Sequence, residues 1–252
     1  MAGSARPATG TAASSSSTRT TSTHGCAAGS SASPASRSTR LGPTPPRRRS
    51  PQEGTCEYVE SFGPGVSWPR GGAVRTVIGI DPSLRATGLA AIRGTSFGLA
   101  TVKTRPVLGG PAATAGRVHL ALERILALVP EDTALVVIEG PSYGSQHGAR
   151  FERAGLYWML LDQLRGRGLE VVIVAPRTRA KYATGDGSAD KRTVLRTMRE
   201  RFPVLNVRDD NQADALALAC AGSRWLGAAR DGGLDRAQTA AYRNIHWPEE
   251  AA

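Results

Sequence analysis

Two carboxylates stand directly behind apolar, largely β-branched runs: Asp81 after Val77–Ile80 and Glu139 after Leu135–Ile138. A carboxylate that follows a buried strand sits at the rim of a sheet, where ligands bind in α/β proteins. A third acidic group lies in Asp209-Asp210-Asn211-Gln212-Ala213-Asp214, where Asp210 and Asp214 are four residues apart and share one face if the segment is helical. Like charges at that spacing repel by roughly a few tenths of a kcal/mol. Acids at the start of an otherwise apolar helix make better sense with cations beside them. Oxygen donors of this kind suit Mg²⁺, which takes carboxylates together with water and phosphate oxygens. Two such ions about 4 Å apart stabilise the attacking and leaving oxygens of a phosphodiester displacement. Taken singly, each residue also has a plainer role. Asp81-Pro82-Ser83 fits a turn, and Asp210 fits the favourable charge at a helix N-terminus. The three positions taken together point to cation binding.

The elements that must position these groups are legible in the apolar pattern. Val74–Ile80 reads as a strand, and Gly88–Ile92 and Ser96–Thr101 flank Arg93-Gly94 as a hairpin that continues it. Ala113–Leu128 has helical spacing at Val118, Leu122, Ile125 and Leu128. Ala134–Ile138 reads as a strand, Ala149–Arg165 as a helix with Leu156, Leu160 and Leu164 on one face, and Leu169–Val174 as a further strand. Lys191–Arg201 and Asn211–Leu226 read as the last two helices. Tight turns make the first three strands antiparallel, and intervening helices make the others parallel. The expected fold class is α/β, with a mixed five-stranded sheet and helices on both faces.

Residues 1–70 differ from the rest. Between Ala13 and Pro51 the chain is mostly Ser, Thr, Ala, Pro, Gly and Arg, and no acid precedes Glu53. Such a segment buries too little apolar surface to offset the entropy of ordering, so it is expected to be a disordered tail. A folded domain is expected over 71–228 and a loose, polar tail over 229–252. The whole chain of 252 residues carries a formal net charge of +11, which suits a polyanionic partner, most plainly nucleic acid. No apolar run is long enough for a membrane-spanning helix. The N-terminus does not read as a secretory signal. Cys26, Cys56 and Cys220 are odd in number and far apart, so neither a disulfide framework nor a cysteine zinc site is expected, and the expected setting is a reducing cytoplasm.

The sequence resembles the RuvC-type Holliday junction resolvases, of the ribonuclease H-like fold. The matching motifs are Gly79-Ile80-Asp81-Pro82-Ser83 with Thr87-Gly88, Ile138-Glu139, Ala183-Thr184-Gly185 followed by Ala189-Asp190-Lys191, and Ala213-Asp214-Ala215-Leu216-Ala217. The resemblance runs from about Thr76 to Gly222. It implies a metal-dependent endonuclease that resolves four-way DNA junctions by paired symmetric nicks in recombination and repair. It implies two Mg²⁺ ions per site, with Mn²⁺ able to substitute, and a homodimer. The family's catalytic acids carry over onto Asp81, Glu139 and Asp214. The family's fourth position falls on Asn211, which offers an oxygen but no charge; Asp210, one residue earlier, is taken as the fourth ligand, with Asn211 as the alternative.

The resemblance also places Lys191 beside the cleaved strand and Lys181 on a flanking phosphate, in a chain with three lysines against 29 arginines. Tyr143 takes the place of the family's base-stacking aromatic, a contact worth about 1–3 kcal/mol. Arg150, Arg177 and Arg179 are expected on DNA phosphates. Phe151, Gly155, Trp158 and Asp162 mark the expected subunit interface. The rival readings are a nuclease of the same fold acting on other branched DNA or on RNA–DNA hybrids, and a junction-binding protein without cleavage. A branch-migration motor cannot be deduced from the sequence.

Overall fold

The computed structural model describes residues 58–60, 75–141 and 149–249. Its core is the expected sheet. Strands β2 (Thr76–Asp81), β3 (Ala86–Arg93) and β4 (Ser96–Lys103) form an antiparallel meander. Arg93 pairs with Ser96 across a two-residue turn in which Gly94 takes φ 56°, a left-handed conformation that tight hairpins require. After helix α1 (Gly110–Ala127), strand β5 (Thr133–Glu139) returns parallel to β2. After helix α2 (Arg150–Gly166), strand β6 (Val171–Val174) adds parallel to β5.

Alternation along the central strands divides the core into two layers. Val77, Leu135 and Val137 point to one face, Ile78, Ile80, Val136 and Ile138 to the other. The second face is covered by Val118, Leu122 and Ile125 of α1 and by Leu156, Leu160 and Leu164 of α2. The first is covered by helices α3 (Pro176–Thr184), α4 (Lys191–Arg201) and α5 (Asp210–Trp225). Burial on both faces explains why β2 and β5 are continuously apolar.

Three elements go beyond the sequence reading. A short strand β1 (Tyr58–Glu60) pairs antiparallel with β4, making the sheet six-stranded in the order β1-β4-β3-β2-β5-β6. It falls inside the segment expected to be disordered; the exposed edge of β4 supplies the unpaired backbone groups it uses. The rest of 1–70 lies outside the described residues. Helix α3 was not anticipated, although Pro176 opens it and Gly185, at φ 86°, closes it, the usual asymmetry of helix ends.

The segment from Asp231 onward, expected to be a loose tail, is instead packed. Asp231 is buried and accepts hydrogen bonds from Tyr182 and Arg224. Helix α6 (Arg236–Arg243) starts with a capping box between Asp235 and Gln238 and packs on α3. Ala241 and Ile245 are buried, and Trp247 stacks on Trp225 with ring centres 5.9 Å apart. The segment is polar yet packed because its polar groups satisfy one another. Among the described residues, no helix is long and apolar enough to cross a membrane.

Candidate active site

Because β2 and β5 are parallel neighbours, Asp81 and Glu139 at their C-terminal ends leave the same edge of the sheet. The turn after Asp81 is closed by Ser83 and Thr87, the Ser83 N–H donating to Thr87 Oγ1 and the Thr87 hydroxyl to the Ser83 carbonyl.

Helix α5 brings the remaining acids to this edge, and glycines let it come close. A Cβ on Gly79 would lie 2.0 Å from the Ala215 carbonyl oxygen, and one on Gly88 would lie 1.9 Å from that of Asn211. Gly88 is the cross-strand partner of Asp81, so the first turn of α5 rests directly on the strand pair that ends in Asp81. Alanines at 213, 215, 217, 219 and 221 keep the helix thin where it crosses the sheet. Its start is pinned by Asp209, which caps the Gln212 N–H at 2.9 Å and accepts from the Thr101 hydroxyl of β4 at 3.0 Å.

Asp214 is fully buried, and neither carboxylate oxygen has a hydrogen-bond donor. Arg179 Nη1 lies 2.5 Å from Asp214 Oδ1, close enough for an ion pair but outside hydrogen-bond geometry. The same guanidinium donates from Nε to Glu139 Oε2 at 2.7 Å. Lys191, the first residue of α4, reaches Asp210 Oδ2 at 2.8 Å.

The electrostatics follow from this crowding. Burial, with repulsion from Glu139 and Asp214, holds Asp81 well above the usual carboxylate range, while Lys191 and Arg179 pull the other way. Burial pushes Asp214 up to about 7 against the pull of Arg179. Asp210 is also pushed up by burial, but Lys191 holds it below its ordinary value. Burial disfavours the charge on Arg179, and the surrounding acids more than restore it. Fully ionised, the four acids would carry more negative charge than Arg179 and Lys191 neutralise. Two buried oxygens without donors, in an all-oxygen set, fit a hard divalent cation. Among the described residues, no three His, Cys, Asp or Glu side chains are already gathered as a metal shell; Arg179 touches two of the acids that would form one.

No protein-family profile matches the chain. Relatives do. Crossover junction endodeoxyribonuclease RuvC of Acidiphilium cryptum is 31% identical over 159 residues, which is 61% of this chain and 93% of that protein. The chain belongs to the RuvC family. The same-named protein of Rhodopseudomonas palustris is 27% identical over 162 residues, covering 90% of its length. A solved structure of Thermus thermophilus RuvC aligns with TM-score 0.46 and 24% identity over 62% of this chain and 98% of that one. The family is metal-dependent.

Of the other anticipated residues, Arg177 and Lys181 line a groove of about 630 Å³ between α3 and α6, together with Thr178, Asp186 and Asn244. Arg150 is exposed, its guanidinium 4.6 Å from the Phe151 ring centre. Asn211 contributes its backbone to the contact with Gly88. Tyr143 lies outside the described residues. Arg179 departs from expectation: it is buried and engaged by two carboxylates, so its charge is not offered to a phosphate. Sequence reasoning missed this role because it missed α3, which leaves Arg177 exposed and buries Arg179.

Proposed function

We propose that this chain is an endonuclease that resolves four-way DNA junctions by paired symmetric nicks. The observation that carries the reading is the convergence of Asp81, Glu139 and Asp214 from β2, β5 and α5, with both Asp214 oxygens buried and undonated. The names of its relatives support the substrate.

Asp81, Glu139, Asp210 and Asp214 would hold Mg²⁺, two ions once DNA is bound, with Mn²⁺ as a substitute. When bound, the metal supplies Lewis acidity, making a water acidic enough to attack at neutral pH and steadying the leaving oxygen. The chain's own groups do the rest. Lys191, with most of its side chain exposed, swings from Asp210 toward the scissile phosphate. Arg177, Lys181 and Arg150 hold flanking phosphates, and Tyr143 stacks on a base. Burial of Asp81 and Asp214 keeps bulk water from screening their charges. Asp210 serves as fourth ligand in preference to Asn211, since its charge is felt at Asp214.

A homodimer suits a two-fold substrate. Phe151 and Trp158 are 75% and 60% exposed on one side of α2, with Gly155 between them, which is an uncommon display of aromatic surface for an unpartnered helix. The reading is tested by incubating the protein with end-labelled four-way DNA and Mg²⁺ and mapping the nicks. Two nicks at symmetric positions are expected. Cleavage of an RNA–DNA hybrid with the junction left intact would overturn it.

A further inference from the structure

A second hollow, of about 550 Å³, adjoins the groove between α3 and α6 and shares Arg177, Thr178 and Asn244 with it. The rest of its lining is mostly apolar and includes Ile173 near the end of β6, Pro176 at the start of α3 and Ile245 just after α6. Ile173 is 43% exposed while Val171, Val172 and Val174 around it are buried, so the sheet ends here in uncovered apolar surface. Gly140, the residue after Glu139, also lines the hollow, which therefore opens one residue beyond the acid at the end of β5. A Cβ at position 140 would lie 3.0 Å from the Ile173 side chain. No acidic side chain lines the hollow, and Arg177 brings a positive charge to it.

We propose that this hollow takes an unstacked base of the junction strand whose phosphates lie on Arg177 and Lys181, and that Asn244 reads the edge of that base. The inference rests on the reading of the chain as a junction nuclease. An apolar cavity with a few polar groups at its rim fits a flat heterocycle, and proteins that read an extruded base pack it between apolar side chains and hydrogen-bond its edge. Extrusion costs least where a base has already lost stacking or pairing partners, as it has at a branch point. Arg177 and Asn244 line both hollows, so the phosphate and the base of one nucleotide are held by adjoining surfaces. Asn244 is exposed at the end of α6, and among the described residues its carboxamide engages no partner. That carboxamide sets a donor beside an acceptor, the match for N7 and the N6 amino group of adenine. Adenine is accordingly the base the hollow prefers.

The test begins with four-way junctions that carry one photoreactive 8-azidoadenine, placed in turn at each position around the cut. Each is irradiated with the full Asp81→Asn chain, and the adducts are mapped by peptide mass spectrometry. One position is expected to label residues 173–178 or 244–246. Adding Ala175→Trp, an exposed position that lines the hollow, should abolish that label by filling the space. In the wild-type chain, 7-deazaadenine at the same position lacks the N7 acceptor and should slow cutting about tenfold. Asn244→Ala should cut both junctions at the slow rate, with unchanged melting because the residue is exposed. Labelling confined to other parts of the chain overturns the inference, as does a label that survives Ala175→Trp. Equal wild-type rates on the two junctions, or full discrimination by Asn244→Ala, overturn the role of Asn244. Each of these results in a chain that still cuts junctions leaves the nuclease reading standing. A chain that cuts no junction sinks that reading and the inference with it.

Discussion

Gly88→Ala tests whether the close seating of α5 is what assembles the site. The added Cβ would lie 1.9 Å from the Asn211 carbonyl oxygen and 2.3 Å from its carbon, where real Cβ contacts essentially never fall under 3.0 Å. Both atoms belong to the backbone, so no side chain can rotate away. The start of α5 must back off by about 1 Å, carrying Asp210 and Asp214 away from Asp81. Overpacking of this kind costs about 1–3 kcal/mol. A displacement of about 1 Å in a reacting constellation costs on the order of 100-fold in rate. In a single-turnover assay on four-way DNA with Mg²⁺, the variant should cut about 100-fold more slowly. Junction affinity should hold, because the groups proposed to bind phosphate on α3 and α4 are not displaced. Gly116→Ala is the control: nothing lies within 4 Å of its Cβ, and it sits inside α1. It should stabilise by about 0.5–1 kcal/mol. Wild-type cutting and wild-type melting in Gly88→Ala would refute the reasoning.

Three further outcomes are expected. Asp81→Asn should abolish cleavage while junction binding measured by gel shift persists; retained turnover would contradict its proposed role in holding metal. The metal-free protein should lose stability as pH rises from 5 to 8, because Asp214 binds its proton more tightly folded, at about 7, than unfolded, at its ordinary 3.8. The loss attributable to that group is about 2–3 kcal/mol; denaturant melts should show it removed by Asp214→Asn and reversed in wild type by Mg²⁺. Asp231→Ala strands the buried Tyr182 hydroxyl and Arg224 and should destabilise by about 3–5 kcal/mol, read as an earlier urea midpoint; an unchanged midpoint would mean that the C-terminal segment is not part of the cooperative unit.

Much of this arrangement was legible from residue order. Asp81 and Glu139 were placed at strand ends because the apolar runs before them could only be buried strands, and the parallel pairing of those strands brings the two acids to one edge. The three antiparallel strands followed from the Arg93-Gly94 turn. What escaped was held by interactions that leave little trace in hydrophobic pattern. Helix α3 has few large apolar residues, and its boundaries are written in Pro176 and Gly185 rather than in periodicity. The C-terminal segment looked like solvent-facing chain because the groups that bury it, Asp231, Tyr182, Arg224 and Gln238, are polar and become legible only as partners.

The positions of Arg179 and Asp214 show why charge in such a site cannot be read residue by residue. A count along the chain makes Arg179 one more cation in a protein of net charge +11, and so a candidate for phosphate. Folding turns it inward, where it faces Glu139 and Asp214 and works against the burial and the carboxylate repulsion that raise Asp214. The close packing enforced by Gly79 and Gly88 creates the repulsion, and the inward arginine offsets part of it. The remainder is a demand for positive charge at the sheet edge, which the proposed divalent cation would meet. The glycines and the arginine are therefore one device: relaxing the packing at Gly88 should lower the need for metal, and removing the charge at Arg179 should raise it. Opposite shifts in Mn²⁺ affinity for the two substitutions are the consequence.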